Sequence, residues 1–129
     1  MVILEKSSFR RSLIASLPLL FWCVLALVTY LMLIELPPKH GGWPYWDKVQ
    51  HLLVFMLLTT LAFLAYRKVR WLSVVLLILY GAIVEWLQVA LTLTRMASFG
   101  DWLADVAGVL LVLLLHMFMA KLFSRKVEI

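Results

Sequence analysis

The sequence predicts an all-α integral membrane protein, a compact bundle of four transmembrane helices forming one domain over residues 1–129. Three observations predict it. Hydrophobic residues fill 65% of the chain and charged residues only 15%, with a mean hydropathy of +1.02, whereas soluble domains run near ~45–50% apolar and ~25% charged. The apolar residues fall into four runs, each near the ~20 residues a helix needs to cross a bilayer. Lys and Arg gather at the ends of those runs rather than along a groove or stripe, so the net charge of +5 reads as topology and not as nucleic-acid binding. Spans are expected at about 13–34, 47–66, 71–93 and 101–123.

The first span follows Lys6, Arg10 and Arg11 and is free of charge from Leu13 to Ile34. It is too long for a signal peptide, and no small-residue cleavage site follows it. The Arg10-Arg11 pair is explained as flanking charge, and Trp22 before Cys23 spoils a lipoprotein site. Pro18 is expected near the start of the helix, where few backbone donors are lost. The stretch Glu35 to Trp46 holds three prolines and two glycines and reads as a structured loop. Its Trp43, Tyr45 and Trp46 suit a membrane–water interface. Arg67, Lys68 and Arg70 form a basic turn between the second and third spans, and Thr94–Gly100 is a short loop before the fourth. Cys23 is the single cysteine, so an intrachain disulfide is excluded and the redox compartment is left open.

Orientation follows from the basic residues. The N-terminal segment, the 67–70 turn and the C-terminal segment carry three Lys or Arg each, nine against the three at Lys39, Lys48 and Arg95. Both termini are therefore expected in the cytoplasm of a multi-pass protein, with segments 35–48 and 94–101 on the outer side. Lys39 and the terminal basic residues are read as orientation and headgroup contacts.

The chemistry concentrates near those outer segments. Glu85 stands in an apolar run, with no charge from Trp71 to Val84 or from Trp86 to Thr94. A carboxylate at membrane depth is costly and faces a polar cavity or a partner. Gly81, Glu85, Gln88 and Thr92 share one helical face; Asp101, Asp105 and Gly108 share a second; Asp47, His51 and Phe55 share a third. At a rise of ~1.5 Å per residue, His51 lies roughly 6 Å below the second span's outer boundary, Asp105 similarly deep in the fourth, and Glu85 about 12 Å and Gln88 about 8 Å in from Leu93. Ala104-xxx-Gly108 has the small-xxx-small spacing that lets helices approach closely. One polar pocket is expected, open to the outside and lined by the second, third and fourth helices, with Lys48 and Arg95 at its rim.

Each residue also has a plainer reading. Glu85 and Gln88 can tie helices together by hydrogen bonds, and Asp47 and Asp101 can cap the helices they open. Arg95 can simply neutralise the acids. His116 lies toward the other end and reads as structural, and His40 in its loop carries no signal. The acids and His51 are suitable ligand types for a divalent cation, a candidate cofactor, although no tight motif such as HExxH is present.

The order Asp47-Lys48-x-x-His51-x-x-x-Phe55, then Glu85-x-x-Gln88, then Arg95-x-x-Ser98-x-x-Asp101-x-x-x-Asp105-x-x-Gly108, resembles the VanZ-like family of bacterial membrane proteins. The motifs span Asp47 to Gly108, and the four-helix layout extends the likeness over most of the chain. Many relatives carry Asn where Asp105 stands, which leaves open whether a negative charge is required there. The resemblance implies a protein of the bacterial cytoplasmic (inner) membrane and cell envelope. The family is named for a protein linked to low-level resistance to teicoplanin, a lipid-tailed glycopeptide antibiotic, and the name specifies no reaction.

Three functions are compatible with these residues. An envelope enzyme would act on a lipid-linked phosphate or glycan at the outer leaflet. Its candidate catalytic residues are Glu85, Asp105 and His51, and Lys48, Gln88, Arg95, Ser98, Asp47 and Asp101 are candidates for binding. A non-catalytic binder of lipidated molecules would alter how a teicoplanin-like drug reaches its target. A small proton-coupled transporter would use the intramembrane Glu85. Expected partners are a membrane lipid or a lipid-linked envelope precursor, with the oligomeric state left open.

Overall fold

The computed structural model describes residues 2–34, 43–93, 96 and 98–125, and it is all-helical over them. Four helices follow in order: α1 Val2–Leu33, α2 Trp46–Ala65, α3 Arg70–Leu91 and α4 Phe99–Arg125. Each contains a segment long and apolar enough to cross a membrane.

Two boundaries differ from expectation for identifiable reasons. Helix α1 begins well before the apolar run, because Lys6, Arg10 and Arg11 are good helix formers and no breaker precedes them. Pro18 consequently sits inside the helix rather than near its start, removing the amide that would bond to the Ile14 carbonyl. Helix α4 opens at Phe99 rather than Asp101, because Ser98 takes the capping position: its hydroxyl accepts from the Asp101 N–H at 3.3 Å. At the other boundaries the shifts are small. Helix α3 ends at Leu91, where Thr92 turns to extended backbone and its hydroxyl donates to the Gln88 carbonyl at 2.6 Å.

The closest pairing is α2 with α4, and α3 packs on both; α1 packs on α2 and α3 and makes no packing contact with α4 among the described residues. Glycines set the approach. A Cβ on Gly108 would lie 2.5 Å from the Leu52 carbonyl oxygen and 3.1 Å from the Met56 nitrogen, so α4 rests directly on the backbone of α2. The core where α2, α3 and α4 meet holds Phe55, Leu58, Val84 and Val109, all buried. The outward faces are the reverse of a soluble protein: Leu53, Leu57, Leu76, Trp86, Leu111 and Leu114 are exposed, as hydrocarbon requires. Trp43, Tyr45 and Trp46 are also exposed, the Trp43 and Tyr45 rings meeting edge to face, in keeping with an interfacial position.

Helix α1 buries only a narrow stripe, Phe21, Val28 and Met32, and is held by polar ties as well. The Trp22 indole N–H donates to the Tyr66 hydroxyl at 2.8 Å, and the Thr29 and Tyr80 hydroxyls share a bond of 2.8 Å. A cavity of about 450 Å³ with almost wholly apolar walls lies between α1, α2 and α3, away from the acidic residues. His116 packs edge-on against Phe63, a structural contact.

Candidate functional site

The three inward stripes converge. Helical periodicity points His51 from α2, Glu85 from α3 and Asp105 from α4 to the bundle axis, where they are 4%, 6% and 1% exposed. The Nδ1–H of His51 donates to Asp105 Oδ1 at 2.9 Å, and the same nitrogen lies 3.9 Å from Glu85 Oε1. That bond assigns the proton to Nδ1 in the neutral ring and leaves Nε2 with the lone pair. Gly81 makes room for the arrangement: a Cβ there would lie 2.9 Å from Asp105 Oδ2 and 3.3 Å from the Phe55 ring.

The two oxygens of Glu85 have different surroundings. Oε2 accepts the Ser98 backbone N–H at 2.8 Å. In a capping box that N–H is met by an acidic or amide side chain at the third helical position; here α3 supplies the carboxylate from outside the helix. Oε1 is fully buried and has no hydrogen-bond partner, an expensive state for a carboxylate oxygen.

Asp101 occupies that third position and instead takes the Lys48 ammonium on Oδ1 at 2.8 Å, so α2 and α4 are bridged above the triad. The capping expected of Asp101 falls to Ser98. Asp47 is exposed at the start of α2, which has no side-chain cap. Donor atoms of Asp47, His51 and Asp101 lie within 4.8 Å of one another, as do those of His51, Glu85 and Asp105, so either set has the span to hold a cation. Gln88 is buried, and its amide donates to the Met32 carbonyl at 2.9 Å, tying α3 to α1. Gln88→Leu is expected to loosen α1 by about 0.6 kcal/mol, a typical interhelical bond in lipid, read as a small fall in unfolding midpoint in detergent.

Of the residues expected at the site, His51, Glu85, Asp105, Ser98, Lys48 and Asp101 come together; Asp47 reaches His51 and Asp101 but is exposed, and Gln88 lies next to them with its amide turned to α1. Arg95, like Lys39 and His40, lies outside the described residues. The expected lining needs one correction. The cavity that reaches His51, about 320 Å³, is walled by α1 and α2 through Leu31, Met32, Ile34, Asp47, Gln50 and Val54. Sequence reading missed α1 because it contributes only apolar side chains and the Met32 carbonyl, neither of which carries a polar signal. The bonding of Glu85 to a backbone N–H was equally invisible. Compared with known proteins, the chain matches no family model, no curated protein and no solved structure.

Proposed function

We propose that the chain is a VanZ-like protein of the bacterial cytoplasmic membrane, both termini inside, whose buried triad acts on the polar head of a lipid-linked phosphate or glycan at the outer leaflet. The observation that carries the reading is Glu85 Oε1, buried, unpartnered and 3.9 Å from His51. A carboxylate oxygen held in this state is matched to a group that arrives with the substrate. The cavity beside His51 supports an amphiphile: Asp47 and Gln50 line it together with Leu31, Met32 and Val54, polar and apolar walls side by side.

Each residue has a role in this reading. Asp105 orients the His51 ring through Nδ1–H and leaves Nε2 as the base. Ser98 fixes one oxygen of Glu85 and leaves the other to position a water or a hydroxyl. Lys48 supplies positive charge for an anionic head, shared with Asp101. The test is turnover by purified protein in proteoliposomes containing polyprenyl phosphates or lipid-linked precursors, with and without Mg²⁺. Wild type is expected to turn over at least one of them, and Glu85→Gln to lose about 10²–10⁴-fold, the usual range for a general base. No turnover of any substrate, or a Glu85→Gln protein as active as wild type, overturns the proposal. Saturable binding of a lipidated glycopeptide without turnover would replace it with the binder.

A further inference from the structure

We infer that His51, Glu85 and Asp105 form the site of one divalent transition-metal ion, with zinc the best match to the donors. One nitrogen and two carboxylate oxygens, each from a different helix, lie within 4.8 Å of one another. Around a tetrahedral ion with bonds of ~2.0–2.2 Å, ligand atoms stand roughly 3.4 Å apart. The observed separations from His51 Nδ1, 2.9 Å to Asp105 and 3.9 Å to Glu85, bracket that value. Small side-chain rotations bring both into register.

The unpartnered Glu85 Oε1 is the independent sign of a ligand, because it is buried and lies 3.9 Å from the His51 nitrogen. Two carboxylates and a neutral imidazole balance the charge of a divalent ion, which the apolar surroundings otherwise leave uncompensated. The outer oxygen of Glu85 is already oriented by the Ser98 N–H, the kind of supporting bond that metal-ligating side chains receive. Three protein ligands leave a coordination position open, the pattern of catalytic rather than structural zinc.

The choice of ion and of set follows from chemistry. Magnesium prefers an all-oxygen octahedron and keeps its waters, so an imidazole-containing buried triad discriminates against it. The alternative set, Asp47, His51 and Asp101, is poorer: Asp101 is neutralised by Lys48 at 2.8 Å and Asp47 is exposed to competing solvent. An ion on Nδ1 moves the ring proton to Nε2, so the imidazole stays neutral and the charge balance holds. The inference rests on the proposed function and deepens it: with the ion bound, an ion-held water would take over the role given there to His51 Nε2 and Glu85 Oε1, and binding is measured without any substrate.

The experiment is titration of chelator-stripped, detergent-purified protein with Zn²⁺ by calorimetry and with Co²⁺ by its visible ligand-field absorption. One equivalent is expected, not displaced by excess Mg²⁺. Glu85→Gln and Asp105→Asn should each weaken Zn²⁺ binding more than about 100-fold, beyond the ~10–100-fold lost with supporting residues alone, while Asp47→Asn leaves it unchanged. X-ray absorption of Zn²⁺-loaded wild type should show one imidazole among oxygen neighbours, a readout independent of how the variants fold. Absence of stoichiometric binding by wild type, a zinc shell without imidazole, or weakening by Asp47→Asn but not by Glu85→Gln overturns the site. Zinc binding without lipid turnover keeps the ion and removes the lipid-phosphate reading; turnover by protein that binds no ion does the reverse.

Discussion

Gly108→Ala is expected to separate α2 from α4 and to lower the stability of the folded bundle by about 1–3 kcal/mol or more, the range for overpacking. The added methyl would meet the Leu52 carbonyl oxygen at 2.5 Å and the Met56 nitrogen at 3.1 Å. Both are backbone atoms, so no rotamer change relieves the clash and the helices themselves must move apart. Alanine is the better helix former by up to about 1 kcal/mol, a gain that opposes the clash without offsetting it. The midpoint of denaturant-induced unfolding in mixed micelles is the measurement. A Gly108→Ala protein as stable as wild type would falsify the close approach of α2 and α4 on which the site depends.

Asp105 should separate stability from chemistry. Asp105→Ala leaves the buried His51 Nδ1–H without the acceptor it meets at 2.9 Å. It also empties space in a position only 1% exposed, packed beside Gly81. An orphaned buried donor costs about 1–3 kcal/mol, and incomplete collapse of the vacated space adds to it. Asp105→Asn keeps a carbonyl oxygen for the same bond and nearly the same volume, so its unfolding midpoint should stay close to wild type. Its lost charge should appear instead in weaker Zn²⁺ binding and slower turnover. Equal destabilisation by the two substitutions would show that charge, not the hydrogen bond, holds the position.

These two residues also mark how far sequence reading reaches. The spacing of Asp101, Asp105 and Gly108 placed them on one face of α4, and the small residue at 108 implied a close neighbour. Nothing in that spacing said which helix the neighbour was, or that its contact would be backbone. His51 and Glu85 were likewise assigned to inward faces by periodicity, and they are buried as expected. Their separation of 3.9 Å depends on the relative heights of α2 and α3, which a helical wheel does not specify. Lys48 was expected at a rim; its bond to Asp101 needed the α2–α4 crossing to exist.

Composition and periodicity alone determined that this chain is a four-helix membrane protein with Glu85, Asp101, Asp105 and His51 turned inward, because both are local properties of a segment in lipid. Tertiary structure alone decided which oxygen of Glu85 is held by Ser98 and which is left unpartnered. It also put α1 beside His51 and made Ser98, not Asp101, the cap of α4. Those outcomes follow from the rotation and stagger of whole helices. Contacts such as Gly108 on Leu52 and Gly81 on Asp105 set that stagger, and they join residues far apart in the chain.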